Sequence, residues 1–203
     1  MMHMQVLGNC KNGLVFICSA PAGTGKTTLV DMLVAEFPLN VVRSVSYTTR
    51  LPRPGEISGV HYHFVTEEEF EDKVSEDEFI EYVNLYGFYY GTSRKAIHAQ
   101  QALGKHVILV IDTQGALQLK GKFPAVFVFI KPPSFETLSA RLYGRKTETQ
   151  HMVEQRLAWA QKEIEAARYY DYCVVNDDLN TAYQVLRSIL IAEEHKILVH
   201  HVN

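Results

Sequence analysis

The chain is short of cysteine, of long apolar runs and of any large excess of charge, and each shortage removes a class of protein. Its three cysteines, Cys10, Cys18 and Cys173, are odd in number and lack a C-x-x-C spacing, so neither a disulfide framework nor a zinc site is expected. The thiols read as buried or idle, as free cysteine prefers the interior. The uncharged stretch from Gly13 to Gly25 contains Pro21 and three glycines and falls far short of the roughly 20 apolar residues that span a bilayer. The first residues, MMHMQVLGNCKNG, lack the basic start, apolar core and small-residue cleavage site of a secretory signal. A cytoplasmic protein without membrane contact is expected. Twenty Lys and Arg stand against 23 Asp and Glu, a net charge of −3, which argues against the broad basic face of a nucleic-acid binder. The nine histidines read as solvated imidazoles rather than metal ligands: His61 and His63 alternate along an apparent strand, and His195, His200 and His201 lie near the end of the chain.

What is present suits a folded globular chain. With 47% hydrophobic and 21% charged residues a sizeable core is available and disorder is excluded, and 203 residues correspond to one domain with an elaboration at about 150 residues per domain. Apolar runs at 14–20, 106–112, 125–131 and 172–176 do not alternate, the pattern of strands buried on both faces. Residues 113–122, 134–143, 151–168 and 179–196 instead space their apolar side chains by three and four, as amphipathic helices do. The alternation of the two patterns predicts an α/β fold with a parallel β-sheet core flanked by helices. Residues 41–93 break the rhythm. They are rich in Tyr, Thr, Pro and Gly, with short alternating runs and a small helix opened by Thr66 and Glu69 at capping-box spacing, and they read as an inserted β-rich subdomain. A helix follows that should stop near Gly104.

The first apolar run leads through Ala20-Pro21-Ala22-Gly23-Thr24-Gly25 to Lys26-Thr27-Thr28 and a helix. This is the P-loop pattern G-x-x-x-x-G-K-[ST], with Ala20 at the first glycine. The spacing has a chemical reason: amides of a Gly-rich turn converge on phosphate oxygens at a helix N-terminus, the lysine reaches the outer phosphates, and the Thr27 hydroxyl is available to Mg²⁺. A plain Gly-rich turn with an exposed lysine is the alternative, and the strand before and helix after disfavour it. A nucleoside triphosphate site is expected.

The region that follows resembles the guanylate kinases. The resemblance rests on Ser44-Val-Ser46-Tyr-Thr-Thr-Arg50-Leu-Pro-Arg53-Pro-Gly-Glu-Ile-Ser-Gly59 with His61-Tyr62-His-Phe64, then Phe79-Ile-Glu81, Tyr89-Tyr-Gly-Thr-Ser-Arg94, Ile111-Asp112-Thr-Gln-Gly115, Arg141-Leu-Tyr-Gly-Arg145 and Val175-Asn176-Asp-Asp178, in order over about residues 13–192. It implies ATP-dependent phosphorylation of GMP to GDP with Mg²⁺, in purine nucleotide metabolism. Carried over position by position, Arg50, Arg53, Tyr62 and Tyr90 hold the GMP phosphate, and Ser46, Glu81, Thr92 and Asp112 read guanine. Asn176 lies near the adenine of ATP, Lys26 and Arg50 act on the transferring group, and Arg141, Arg145 and Arg156 close over it from a lid. The implied division is one domain, 13–197, with core segments 13–43 and 94–197, a GMP-binding insertion 44–93, a lid at about 141–156, and termini 1–12 and 198–203.

Guanine's N1–H and 2-amino group are adjacent donors that one carboxylate accepts together, whereas adenine offers an acceptor at N1 and leaves that carboxylate unpaired. Glu81 with Ser46 therefore argues against a kinase for another mononucleotide. One position departs from the family: where guanylate kinases commonly carry Asp-x-Asp, this chain has Val110-Ile-Asp112, and Val110 shares a side of the strand with Asp112. A carboxylate contact to metal-bound water or to the substrate is thereby in doubt. The competing class is a binding module on the same fold that holds phosphorylated peptides. Such modules characteristically lack an intact phosphate loop, which this chain has.

Overall fold

The computed structural model describes residues 6–144 and 150–197. Strand β1 (Val15–Ser19) is buried along its whole length, and helix α1 (Lys26–Glu36) and strand β2 (Val41–Arg43) follow it. The chain then leaves the core for strands β3 (Tyr47–Thr48) and β4 (His63–Phe64), helix α2 (Glu67–Ser75) and the strands β5 (Phe79–Leu85) and β6 (Phe88–Ser93). It returns through helix α3 (Arg94–Ala102), strand β7 (His106–Val110), helix α4 (Thr113–Leu119), strand β8 (Val126–Lys131), helices α5 (Phe135–Tyr143) and α6 (Gln150–Ala166), strand β9 (Tyr172–Val175) and helix α7 (Leu179–Glu194). The core sheet runs β2-β7-β1-β8-β9 with every pair parallel. Both faces are covered: Leu29, Val30 and Leu33 of α1 and Leu186 and Leu190 of α7 pack on one, Ile97 of α3 and Ala116 and Leu119 of α4 on the other. That double burial is why the strands read as unbroken apolar runs.

The inserted segment forms its own four-stranded sheet, β4-β3-β6-β5. Phe70 of α2 fills its core, stacked on Tyr89 and packed against Phe79. Thr66 accepts from the Glu69 amide at 3.1 Å and the Glu69 carboxylate accepts from the Thr66 amide at 2.8 Å, which is the capping box expected from the sequence. Gly104 ends the helix after the insertion in a left-handed conformation, φ 75°. Two expected helices end early: α4 stops at Leu119, where Lys120 turns to extended backbone, and α7 stops at Glu194 with His195 as its C-cap.

One reading of the sequence is corrected. The histidines are not all solvated. His63 stacks on Tyr47, and His106 is fully buried, its Nδ1 accepting from the Leu14 amide at 3.0 Å and its Nε2 lying 2.8 Å from Glu194 Oε2. With Nδ1 serving as acceptor, the proton sits on Nε2 and is donated to Glu194. The other carboxylate oxygen accepts from the amides of Gly8 and Asn9 at 2.8 and 2.6 Å, which ties the segment before β1 to the end of α7. Leu7 beside them is a core residue.

Candidate active site

Parallel sheets gather ligands beyond the carboxyl ends of their strands, at the point where strand order reverses. Here that point lies past β1, between β7 and β8. The loop leaving β1 is a closed turn: buried Thr24 donates from its hydroxyl to the Pro21 carbonyl at 2.8 Å. Gly25 then takes φ 85° as the N-cap of α1, a conformation that disfavours any side chain. A Cβ there would also stand 2.7 Å from Asn176 Nδ2. That amide donates to the Thr24 carbonyl at 2.6 Å. Asn176 is thus buried as a brace for the loop. The first turn of α1 carries no acid and no side-chain cap, which leaves its amides and positive dipole end to an anion. Lys26 is half-buried and donates to the Ile111 carbonyl at 3.3 Å; Thr27 and Thr28 are exposed.

Opposite the loop, the insertion contributes a polar pocket. Glu81 on β5 is 4% exposed and accepts a 2.5 Å hydrogen bond from the Thr92 hydroxyl on the paired strand β6. Burial pushes its carboxyl up to about 7, with Thr92 opposing and the Asp112 charge adding to the rise. Asp112 follows β7 and caps α4, its Oδ1 accepting from the Gly115 amide at 3.0 Å. Gly115 is required by a close approach, since a Cβ on it would lie 2.4 Å from a Glu81 oxygen. Burial raises the Asp112 pKa against the pull of the Gly115 and Gln114 amides and of Lys26. Its Oδ2 is buried with no hydrogen-bond partner among the described residues.

A basic corner adjoins this pocket. Arg50 grips both oxygens of Glu56 at 2.9 and 3.0 Å and lies 5.5 Å over the Tyr62 ring, which meets Tyr90 edge-on at 5.9 Å. The Arg53 amide also donates to Glu56. The third wall is α6, which presents Gln155, Arg156, Trp159 and Glu163 to the cavity. Positions three and four apart share a helix face, so these four form one stripe. Glu163 is buried, and desolvation pushes its carboxyl up to about 7 against the Lys26 charge.

Together the walls enclose a cavity of about 360 Å³, within the range of small-molecule sites. Ala20, Ala22, Lys26, Ser46, Arg50, Arg53, Tyr62, Glu81, Tyr90, Asp112 and Arg156, all singled out in the sequence, line it. Thr92 sits directly behind Glu81. Arg141 on α5 instead donates to the Asn176 carbonyl at 3.2 Å, and Arg145 lies outside the described residues. Glu56, Trp159 and Glu163 are wall residues that sequence reasoning passed over. Val110, Ile111 and Asp112 all line the cavity, Asp112 from beyond the end of β7 where strand alternation no longer applies.

Residues 13–193 match the family model described as Guanylate kinase. The chain is similar to the guanylate kinase of Protochlamydia amoebophila (strain UWE25), 61% identical over 194 residues, which are 96% of this chain and 98% of the relative. Among solved structures, the crystal structure of guanylate kinase from Anaplasma phagocytophilum superposes with a TM-score of 0.74 at 34% identity, covering 94% of this chain and 90% of that one. The SH3-kinase fragment of tight junction protein 3 superposes with a TM-score of 0.50 at 13% identity, covering 91% of this chain and 58% of that one, a likeness of fold alone.

Proposed function

The chain belongs to the guanylate kinase family of ATP-dependent GMP kinases, and from that premise we propose that it phosphorylates GMP to GDP by in-line transfer from Mg²⁺-bound ATP in the cleft described above. The observation that carries the reading is one cavity holding both a phosphate loop with its lysine and a buried carboxylate, Glu81, braced by Thr92. Glu81 accepts from guanine N1–H and the 2-amino group, Ser46, Thr92 and Asp112 complete the base site, and Arg50, Arg53, Tyr62 and Tyr90 take the GMP phosphate.

The acceptor phosphate is already ionised near neutral pH, so the obstacle is repulsion between two polyanions and the remedy is positioned positive charge. Lys26 and the α1 amides take the triphosphate, with Arg50 on the acceptor side and Arg141, Arg145 and Arg156 as the lid set. When bound, Mg²⁺ neutralises charge on the outer phosphates. The residues fit it: the Thr27 hydroxyl is exposed on the first turn of α1, and Asp112 Oδ2, buried without a hydrogen-bond partner among the described residues, would be an acceptor for a water on the ion. Free thiols at Cys10, Cys18 and Cys173 suit a reducing, cytosolic setting; no described helix is long and apolar enough to cross a membrane.

The test is ADP release from Mg²⁺-ATP with GMP, AMP, CMP, UMP and dTMP assayed in parallel. GMP alone should support turnover. Equal turnover with a second base would remove Glu81 from the role given to it, and none with any of the five would favour a binding module.

A further inference from the structure

We propose that Glu56 is a positioning residue for the acceptor phosphate, setting both arginines of the basic corner from a single carboxylate. The assignment rests on the kinase reading above. It gives a role to a residue that the phosphate loop and the guanine contacts leave unused.

The local sequence puts the acid there. Arg53-Pro54-Gly55-Glu56 has proline second and glycine third, the order of a type II turn. Gly55 takes φ 85° and the Glu56 amide donates to the Arg53 carbonyl at 3.0 Å, closing the turn. The Glu56 side chain then folds back over the residue that opens it. Its Oε2 accepts from the Arg53 amide at 2.7 Å, and both carboxylate oxygens accept from Arg50 Nη2 at 2.9 and 3.0 Å. The ion pair is largely withdrawn from water, with the Arg50 side chain 11% and the Glu56 side chain 17% exposed.

A free arginine would lose rotamer entropy on gripping a phosphate, a cost that fixing it beforehand removes. Arg50 is fixed on three sides. Glu56 holds Nη2, the Leu51 carbonyl accepts from Nη1 at 2.7 Å, and the guanidinium lies 5.5 and 5.8 Å from the ring centres of Tyr62 and Phe64. The N–H donors of a guanidinium outnumber these contacts, and Arg50, Arg53, Glu56 and Tyr62 line the cavity together. Against this stands the charge of the acid, which opposes a phosphate that the two arginines attract. An acid that only stood in for the phosphate would have no need of the Arg53 amide. Because one carboxylate binds Arg50 and also completes the turn that carries Arg53, its geometric role outweighs its repulsion.

The two roles predict opposite results when the charge is removed. Glu56→Gln keeps the size but replaces one acceptor with an NH₂ group, which faces the Arg50 or Arg53 donors. Calorimetric titration with GMP and with guanosine, which differ only in the phosphate, isolates the effect. The Kd for GMP should rise about tenfold, the scale of a lost charge-assisted hydrogen bond, while that for guanosine stays within about twofold and the KM for ATP holds. Glu56→Asp, with the charge on a shorter arm, should fall between glutamine and wild type. In an Arg50→Lys background Glu56→Gln should weaken GMP binding clearly less, since residues that act through one another are not additive. A GMP affinity in Glu56→Gln equal to or tighter than wild type overturns the proposal. So does a parallel loss of GMP affinity, guanosine affinity and melting temperature in both the Gln and Asp variants, which would mean that the turn merely holds the inserted sheet together. These affinities are read without turnover, so a wild-type chain that binds GMP but fails to phosphorylate it defeats the kinase reading alone, whereas one that binds guanosine as tightly as GMP overturns the role given to Glu56.

Discussion

Burying the Glu81 carboxyl beside Asp112 raises its pKa to about 7, and the direction of that shift fixes two opposite pH dependences. In the folded chain the neutral acid is favoured, so a penalty against folding sets in above the ordinary carboxylate pKa, grows up to about pH 7 and stays constant beyond. At 4% exposure the penalty is on the order of 2 to 3 kcal/mol above neutrality. Guanine, conversely, needs the anion as acceptor, so GMP affinity should fall roughly tenfold as pH drops from 8 to 6. Glu81→Gln separates the two: thermal unfolding at pH 8 should move to higher temperature, while kcat/KM for GMP falls about tenfold to a hundredfold and its slope against pH flattens. A variant that keeps the wild-type slope would put the titration on another group. Gly115 belongs to the same argument, because its missing side chain is the space the Glu81 oxygen occupies; Gly115→Ala should raise the GMP KM with little change in the ATP KM.

The phosphate loop is held from outside by the end of β9. Asn176→Ala would strand the buried Thr24 carbonyl, a loss of about 1 to 3 kcal/mol, and loosen the turn that feeds α1. Urea unfolding should register the destabilisation and the KM for ATP should rise while that for GMP holds; an unchanged ATP KM would mean the loop keeps its shape unaided. At this scale the sequence was most legible where a local rule acts alone. The strands of the core sheet, the Thr66 capping box and the Gly25-Lys26 loop all follow from period, capping or turn chemistry. Glu163 was hidden because an acid in a helix rich in charged residues looks solvated, and its burial is decided by what α6 packs against. Asn176 was visible as a strand-end residue, but a brace 152 positions away from Thr24 leaves no local trace. Glu56 sits in a Pro-Gly turn where an acid is ordinary, and its pairing with Arg50 depends on how the turn folds back.

Among the described residues, two sheets and the helix α6 surround the cleft, and each side supplies part of the charge handling. With both GMP and a non-hydrolysable ATP analogue bound, the inserted sheet and the α5–α6 arm should move toward the core sheet, since closure excludes water and brings Arg156 in. Small-angle scattering should show a smaller radius of gyration with both ligands than with neither, and an unchanged radius would refute the motion. The order of the core sheet has a further consequence, for how the chain acquires its shape. Strand β1 is central, but its neighbours are β7 and β8, and Val15 faces Val107, 92 positions further along the chain. While the protein is being synthesised, β1 must therefore wait, unpaired, until the whole inserted sheet has emerged. The insertion closes through short-range contacts of β5 with β6 and can form first. During that interval an apolar strand with two open edges is the segment exposed to other chains, so the step that limits yield at high concentration or temperature is the capture of β1 by β7, remote from the chemistry the fold exists to perform.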